Sequence, residues 1–129
     1  MDERAEASRR PPVSARLVFR VLVGATMCST TIGVAYALLR RPLFVASFPG
    51  AADGRVYWAL VLTGMAGLVA LAGLWRWRRW AVALYGVLAV VSLALDVVGK
   101  APVAHQVTVV GSAGLMLALA RANRALFRG

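Results

Sequence analysis

Reactive side chains are scarce in this chain. Among 129 residues, Cys28 is the one cysteine and His105 the one histidine. A single cysteine excludes an intrachain disulfide. One residue of each kind also excludes a zinc-type centre built from several Cys and His ligands of one chain, and a bis-histidine haem would need a second subunit. Acids are sparse too: Asp and Glu total 5 against 15 Lys and Arg, for a net charge of +10. Only Asp96 falls inside an apolar run, so no span carries the paired carboxylates of acid–base catalysis. The trio Ser92, Asp96 and His105 is a poor nucleophilic triad, because Ser92 sits a turn deeper in the membrane, away from water. The sequence therefore predicts no catalytic residues, no cofactor, no resident metal and no enzymatic activity.

What the chain has in abundance is apolar surface. Hydrophobic residues make up 60% of it and charged residues only 16%, a balance that leaves a soluble fold too little polar surface to cover itself. Four runs approach the roughly 20 apolar residues that a spanning helix needs: Leu17–Leu39, Val56–Leu74, Ala81–Val98 and Ala101–Ala120. They are too long for strands of about 4–8 residues and lack strand alternation. Helices also satisfy their own backbone in lipid. The expected fold is all-α, an integral membrane four-helix bundle with up-down topology. Residues 1–16 read as a disordered basic tail, residues 17–120 as the membrane domain, and residues 121–129 as a second basic tail. In the connection RRPLFVASFPGAADGR, Leu43, Phe44, Val45 and Phe48 could lie in the interface or tuck back onto the bundle, but the favoured reading is an ordinary loop with a few lipid-facing residues. Gly99 and Pro102 stop one helix and start the next.

Basic residues favour the cytoplasmic side. With four spans, both termini share a side with the middle turn, and that side collects eleven of the 15 Lys and Arg. The other side holds Arg40, Arg41, Arg55 and Lys100. The expected location is the inner membrane, multi-pass, with both termini cytoplasmic.

The turn itself, within LWRWRRWAVALY, alternates arginine and tryptophan. On a soluble surface that pattern would suit nucleic acid. Between two spans it reads as an interface anchor, with Arg76, Arg78 and Arg79 toward anionic lipid and Trp77 and Trp80 in the headgroup belt. Lipid, not nucleic acid, is the expected partner.

Two families of similar size are excluded by what is missing. Small four-helix drug exporters carry a glutamate in the first helix, where this chain has no acid. Fluoride channels assemble as antiparallel dimers with little charge bias and carry Gly-rich and Phe-rich signatures absent here. Processing signals fail as well. Pro11-Pro12 follows Arg9-Arg10, and the run before Ala35-Tyr36-Ala37 is longer than a signal-peptide core. Met27 precedes Cys28, where a lipoprotein box needs a small residue.

The sharpest candidates are Asp96, Lys100 and His105. An ionisable group at membrane depth carries a functional hypothesis by default. Asp96 near the end of its helix also permits a plain i,i+4 pair with Lys100, and the three together could form a polar cap or a proton or ion site. Small-residue faces complete the reading: Gly24, Cys28 and Thr31 in the first span; Thr63, Gly67 and Gly73 in the second; Ser92 in the third; Gly111 and Gly114 in the fourth. Such faces let membrane helices approach closely. Two functions are compatible with this pattern. The first is a non-catalytic accessory subunit that binds a membrane-protein partner or its own copies. The alternative is an oligomeric small transporter or channel that uses Asp96 and His105.

Overall fold

The computed structural model describes residues 11–129. Four helices are long and apolar enough to cross a membrane: α1 (Val13–Leu39), α3 (Gly54–Trp75), α4 (Arg79–Val98) and α5 (Val103–Ala122). A short α2 (Arg41–Ser47) and a 3-10 turn (Pro49–Ala52) join α1 to α3. The protein is an all-α, four-helix membrane bundle with up-down connectivity. Its outward residues are apolar, as lipid contact requires: Leu62, Val69, Val90 and Val107 are all more than half exposed.

The first helix begins before the expected Leu17. Pro12 takes the N-cap position with extended ψ, and Val13 to Arg16 continue as helix. Residues 1–10 of the expected tail lie outside the described residues. The third helix of the bundle starts at Arg79 and the last at Val103, directly after Pro102, whose fixed φ suits a helix start.

Both tight hairpins close as Schellman turns with an unusual residue at the left-handed position. After α3, Arg78 N–H donates to Gly73 O (2.9 Å) and Trp77 N–H to Leu74 O (3.0 Å). After α4, Ala101 N–H donates to Asp96 O (2.8 Å) and Lys100 N–H to Val97 O (3.2 Å). The left-handed residues are Trp77 (φ 58°) and Lys100 (φ 54°), where glycine is usual. Gly99, expected as the stop signal, is the C-cap that ends α4, in right-handed geometry, and the left-handed residue follows it. The small size that matters at this contact is that of Gly50: its N–H donates to Gly99 O (3.0 Å), and a side chain on Gly50 would strike the Val98 and Gly99 backbone.

That contact corrects the reading of residues 40–55 as an ordinary loop. The segment folds back over the end of the bundle. Phe44 is buried and stacks on Phe48 at 4.8 Å, Tyr57 O–H donates to Ala37 O (2.8 Å), and Asp53 caps α3 by accepting from Arg55 N–H (2.8 Å). Short apolar segments bury themselves when a groove is within reach.

The opposite end, where α1 begins, is closed differently. Phe19 stacks on Trp77 at 5.0 Å, and Phe127 meets both rings edge-on. Beneath them Val23, Leu71, Leu74 and Met116 form a dry core. Asn123 ties α1 to α5, its Nδ2 donating to Leu119 O (2.8 Å) and Ala15 O (3.4 Å). The start of α1, the α3–α4 turn and the tail after α5 thus meet at one basic end.

Candidate functional site

α4 runs from the basic end to the far end and carries Asp96 at its last turn. The folded-back segment and α5 enclose that turn. Asp96 is therefore buried, at 2% exposure, where the sequence suggested an interfacial position. Its Oδ2 lies 3.5 Å from His105 Nε2 and accepts no hydrogen bond. This is ion-pair distance when the imidazole is protonated, but too long for a good hydrogen bond. His105 sits at the start of α5, with its side chain 45% exposed and its ring edge-on to Phe48 at 5.3 Å. The expected trio separates: Lys100 is exposed on its turn, and no Asp96–Lys100 ion pair forms among the described residues. The left-handed turn takes Lys100 out of the helical register that an i,i+4 pair requires.

Asp96 and His105 line the mouth of a cavity of about 410 Å³ between α1, α3, α4 and α5. It reaches Tyr85, which lies about 16 Å along α4 from Asp96 at 1.5 Å per residue. Its walls are unusually rich in hydroxyls for a bundle interior: Thr26, Thr30, Thr63, Ser92 and Ser112 all face it. Thr26 Oγ1 donates back to Leu22 O (2.8 Å), and Ser112 Oγ to Val109 O (3.2 Å). Each keeps lone pairs free for a guest. Beyond Tyr85 and Leu71 the dry core fills the bundle.

The small-residue faces divide. Gly73 packs as expected: a Cβ there would lie 2.6 Å from Ala81 Cβ. Gly24 faces the Trp75 ring. Thr63, Gly67 and Ser92 line the cavity, so they mark a gap between helices and not a tight seam. Cys28, Thr31, Gly111 and Gly114 are exposed, and a Cβ on either Gly111 or Gly114 would meet nothing within 4 Å in this chain. In α1 the inward face is Thr26, Thr30, Gly33 and Ala37, spaced four, three and four residues apart. It lies opposite the Gly24–Cys28–Thr31 face. The missed close approach is Gly64, where a Cβ would come within 2.7 Å of Val34.

The WRWRRW turn also divides. Arg79 Nε donates to Phe127 O (3.1 Å) and Arg78 Nη1 to Gly129 O (3.2 Å). Arg79 N–H and Arg128 N–H bond the facing strands of chain at Arg128 O (2.9 Å) and Trp77 O (2.7 Å). These two arginines strap down the tail, each through one donor, while both residues remain exposed. Trp77 is held inside the aromatic cluster, while Arg76 and Trp80 are exposed as an anchor role requires.

Among the described residues, no group of three or more His, Cys, Asp or Glu comes together to hold a metal ion. No family model, curated protein or solved structure matches the chain.

Proposed function

We propose that this protein is a small inner-membrane transporter or channel, non-catalytic, in which the cavity receives a small cation or a protonated solute. One observation carries the reading: a buried carboxylate with an unsatisfied oxygen at the mouth of a hydroxyl-lined cavity. A charge held this way within the membrane is costly, and a carboxylate oxygen lacking a partner costs on the order of 1–3 kcal/mol or more. A cationic guest supplies the missing partner. The exposed imidazole of His105 stands beside Asp96 at the far end, where it can pass a proton or repel a second cation. The arginine asymmetry, eleven against four, supports cytoplasmic termini. The cavity then opens away from the cytoplasm.

The test is flux. Full-length protein in liposomes should dissipate a pH or cation gradient, and Asp96→Asn should abolish that flux. Equal flux from the wild type and Asp96→Asn would sink the reading.

A second reading, an accessory subunit, is favoured by the exposed Gly111 and Gly114 on α5, beside which there is open space. Helices with such faces associate in lipid. It predicts a membrane-protein partner in mild-detergent purification, and recovery of this chain alone would count against it.

A further inference from the structure

The basic end holds a second concavity, unrelated to the Asp96 cavity. It measures about 600 Å³ and gathers Arg16 and Arg20 of α1, Arg76 of the α3–α4 turn and Arg128 of the tail, three separate places in the chain. The only side-chain carboxylates among the described residues are Asp53 and Asp96, and both belong to the far end. Four arginines therefore line one space with no side-chain carboxylate among the described residues beside them.

The arrangement is built by the fold. Arg128 is clamped through its backbone to Trp77 and Arg79. Arg20 lies over the Trp75 ring at 5.1 Å and the Trp77 ring at 5.9 Å, which fixes the guanidinium by cation–π attraction. Arg16 Nε is buried and has no hydrogen-bond partner. A planar guanidinium with free donors suits a phosphate, which accepts two parallel bonds. The rim is apolar: Val13 and Leu17 are 70% and 62% exposed on the same stretch of α1. With 27 residues, α1 is about 40 Å long at 1.5 Å per residue, against a hydrocarbon core of about 30 Å. Its first turns thus stand at headgroup level, arginines beside the phosphates and Leu17 beside the acyl chains.

We propose that this groove is a specific site for the phosphate headgroup of an anionic phospholipid. It uses Arg16, Arg20, Arg76 and Arg128, and not the Arg78–Arg79 pair that straps the tail. Apolar Val13 and Leu17 at the rim favour a lipid over a soluble anion, because only a lipid covers both.

The experiment measures binding of fluorescent phosphatidylglycerol to the full-length protein in neutral detergent, with phosphatidylcholine and inorganic phosphate as competitors. Each arginine near the surface should contribute about five-fold in affinity. Arg16→Gln with Arg128→Gln should weaken binding about thirty-fold. Arg76→Gln, at an exposed site that leaves the fold intact, should weaken it about five-fold. Arg40→Gln with Arg55→Gln, the same charge loss at the far end, should change it less than two-fold. Equal weakening by the far-end pair, or equal competition by phosphatidylcholine, overturns the site. So does full displacement by millimolar inorganic phosphate, which identifies a soluble anion as the ligand. Binding that emerges only after Asp2, Glu3 and Glu6 are neutralised also overturns it, since the chain's own acidic segment then occupies the groove.

Discussion

His105 Nε2 stands 3.5 Å from Asp96 Oδ2, yet one side chain is 45% exposed and the other 3%. The pair therefore joins a buried carboxylate to an exposed imidazole on the cavity lining.

The first prediction concerns that carboxylate. Asp96→Asn removes a buried charge whose Oδ2 has no hydrogen-bond donor. Thermal unfolding in detergent should show unchanged or higher stability, by about 1 kcal/mol, while flux is lost. A drop of 2 kcal/mol or more would identify the carboxylate as a structural tether instead.

Lys100 gives a second prediction. It holds a left-handed φ of 54° with an exposed side chain. A non-glycine residue there costs about 1–2 kcal/mol. Lys100→Gly should therefore raise stability by up to about 1 kcal/mol and leave flux unchanged. Trp77 holds the same conformation, but Trp77→Gly should be destabilising, because its ring stacks on Phe19 and meets Phe127.

Two glycines on one kind of helix should respond in opposite ways. Gly73→Ala places a Cβ 2.6 Å from Ala81 Cβ and 2.8 Å from Trp80 Cη2, so it should cost about 1–3 kcal/mol by overpacking. Gly111→Ala meets nothing within 4 Å and should be neutral or stabilising by up to about 1 kcal/mol. Unfolding curves for the two variants check this. A loss of co-purifying partner or of self-association in Gly111→Leu, with normal stability, would support the accessory reading.

The fourth prediction concerns the tail. Arg79 Nε is bonded to Phe127 O at 3.1 Å. Arg79→Ala should free the segment after Asn123 and speed proteolysis near Arg124 and Arg128, with little change in global melting. Resistance equal to that of the wild type would mean that the two backbone bonds to Arg128 suffice.

The membrane architecture was legible in the sequence because it follows from local quantities. Runs such as Val56–Leu74 announce a span by hydropathy and length alone, and Gly73 announced a close approach that α4 supplies. Faces were harder. Helical periodicity defines stripes but not their partners, so the Gly24–Cys28–Thr31 stripe stood out in α1 while the cavity is lined by the opposite one, Thr26–Thr30–Gly33. The depth of Asp96 was not readable, because residues 41–52 decide it by folding over the helix end. Phe44 and Phe48 looked like lipid-facing loop residues until a groove existed to receive them. The arginine groove is less legible still, since Arg16, Arg76 and Arg128 are neighbours only in three dimensions.

The tail strap sets an order on how the protein is made. Phe127 is 48 residues beyond Arg79, whose side chain it engages, and a ribosome delivers the turn long before it delivers its fastener. Two hairpins can enter the membrane while the basic end is still open. Closure of Phe127 onto Phe19 and Trp77 then comes only after α5 has been made. Until that moment the aromatic lock and the arginine groove beside it exist only in part, so a chain stalled or truncated before Phe127 should leave the membrane machinery inserted but unsealed.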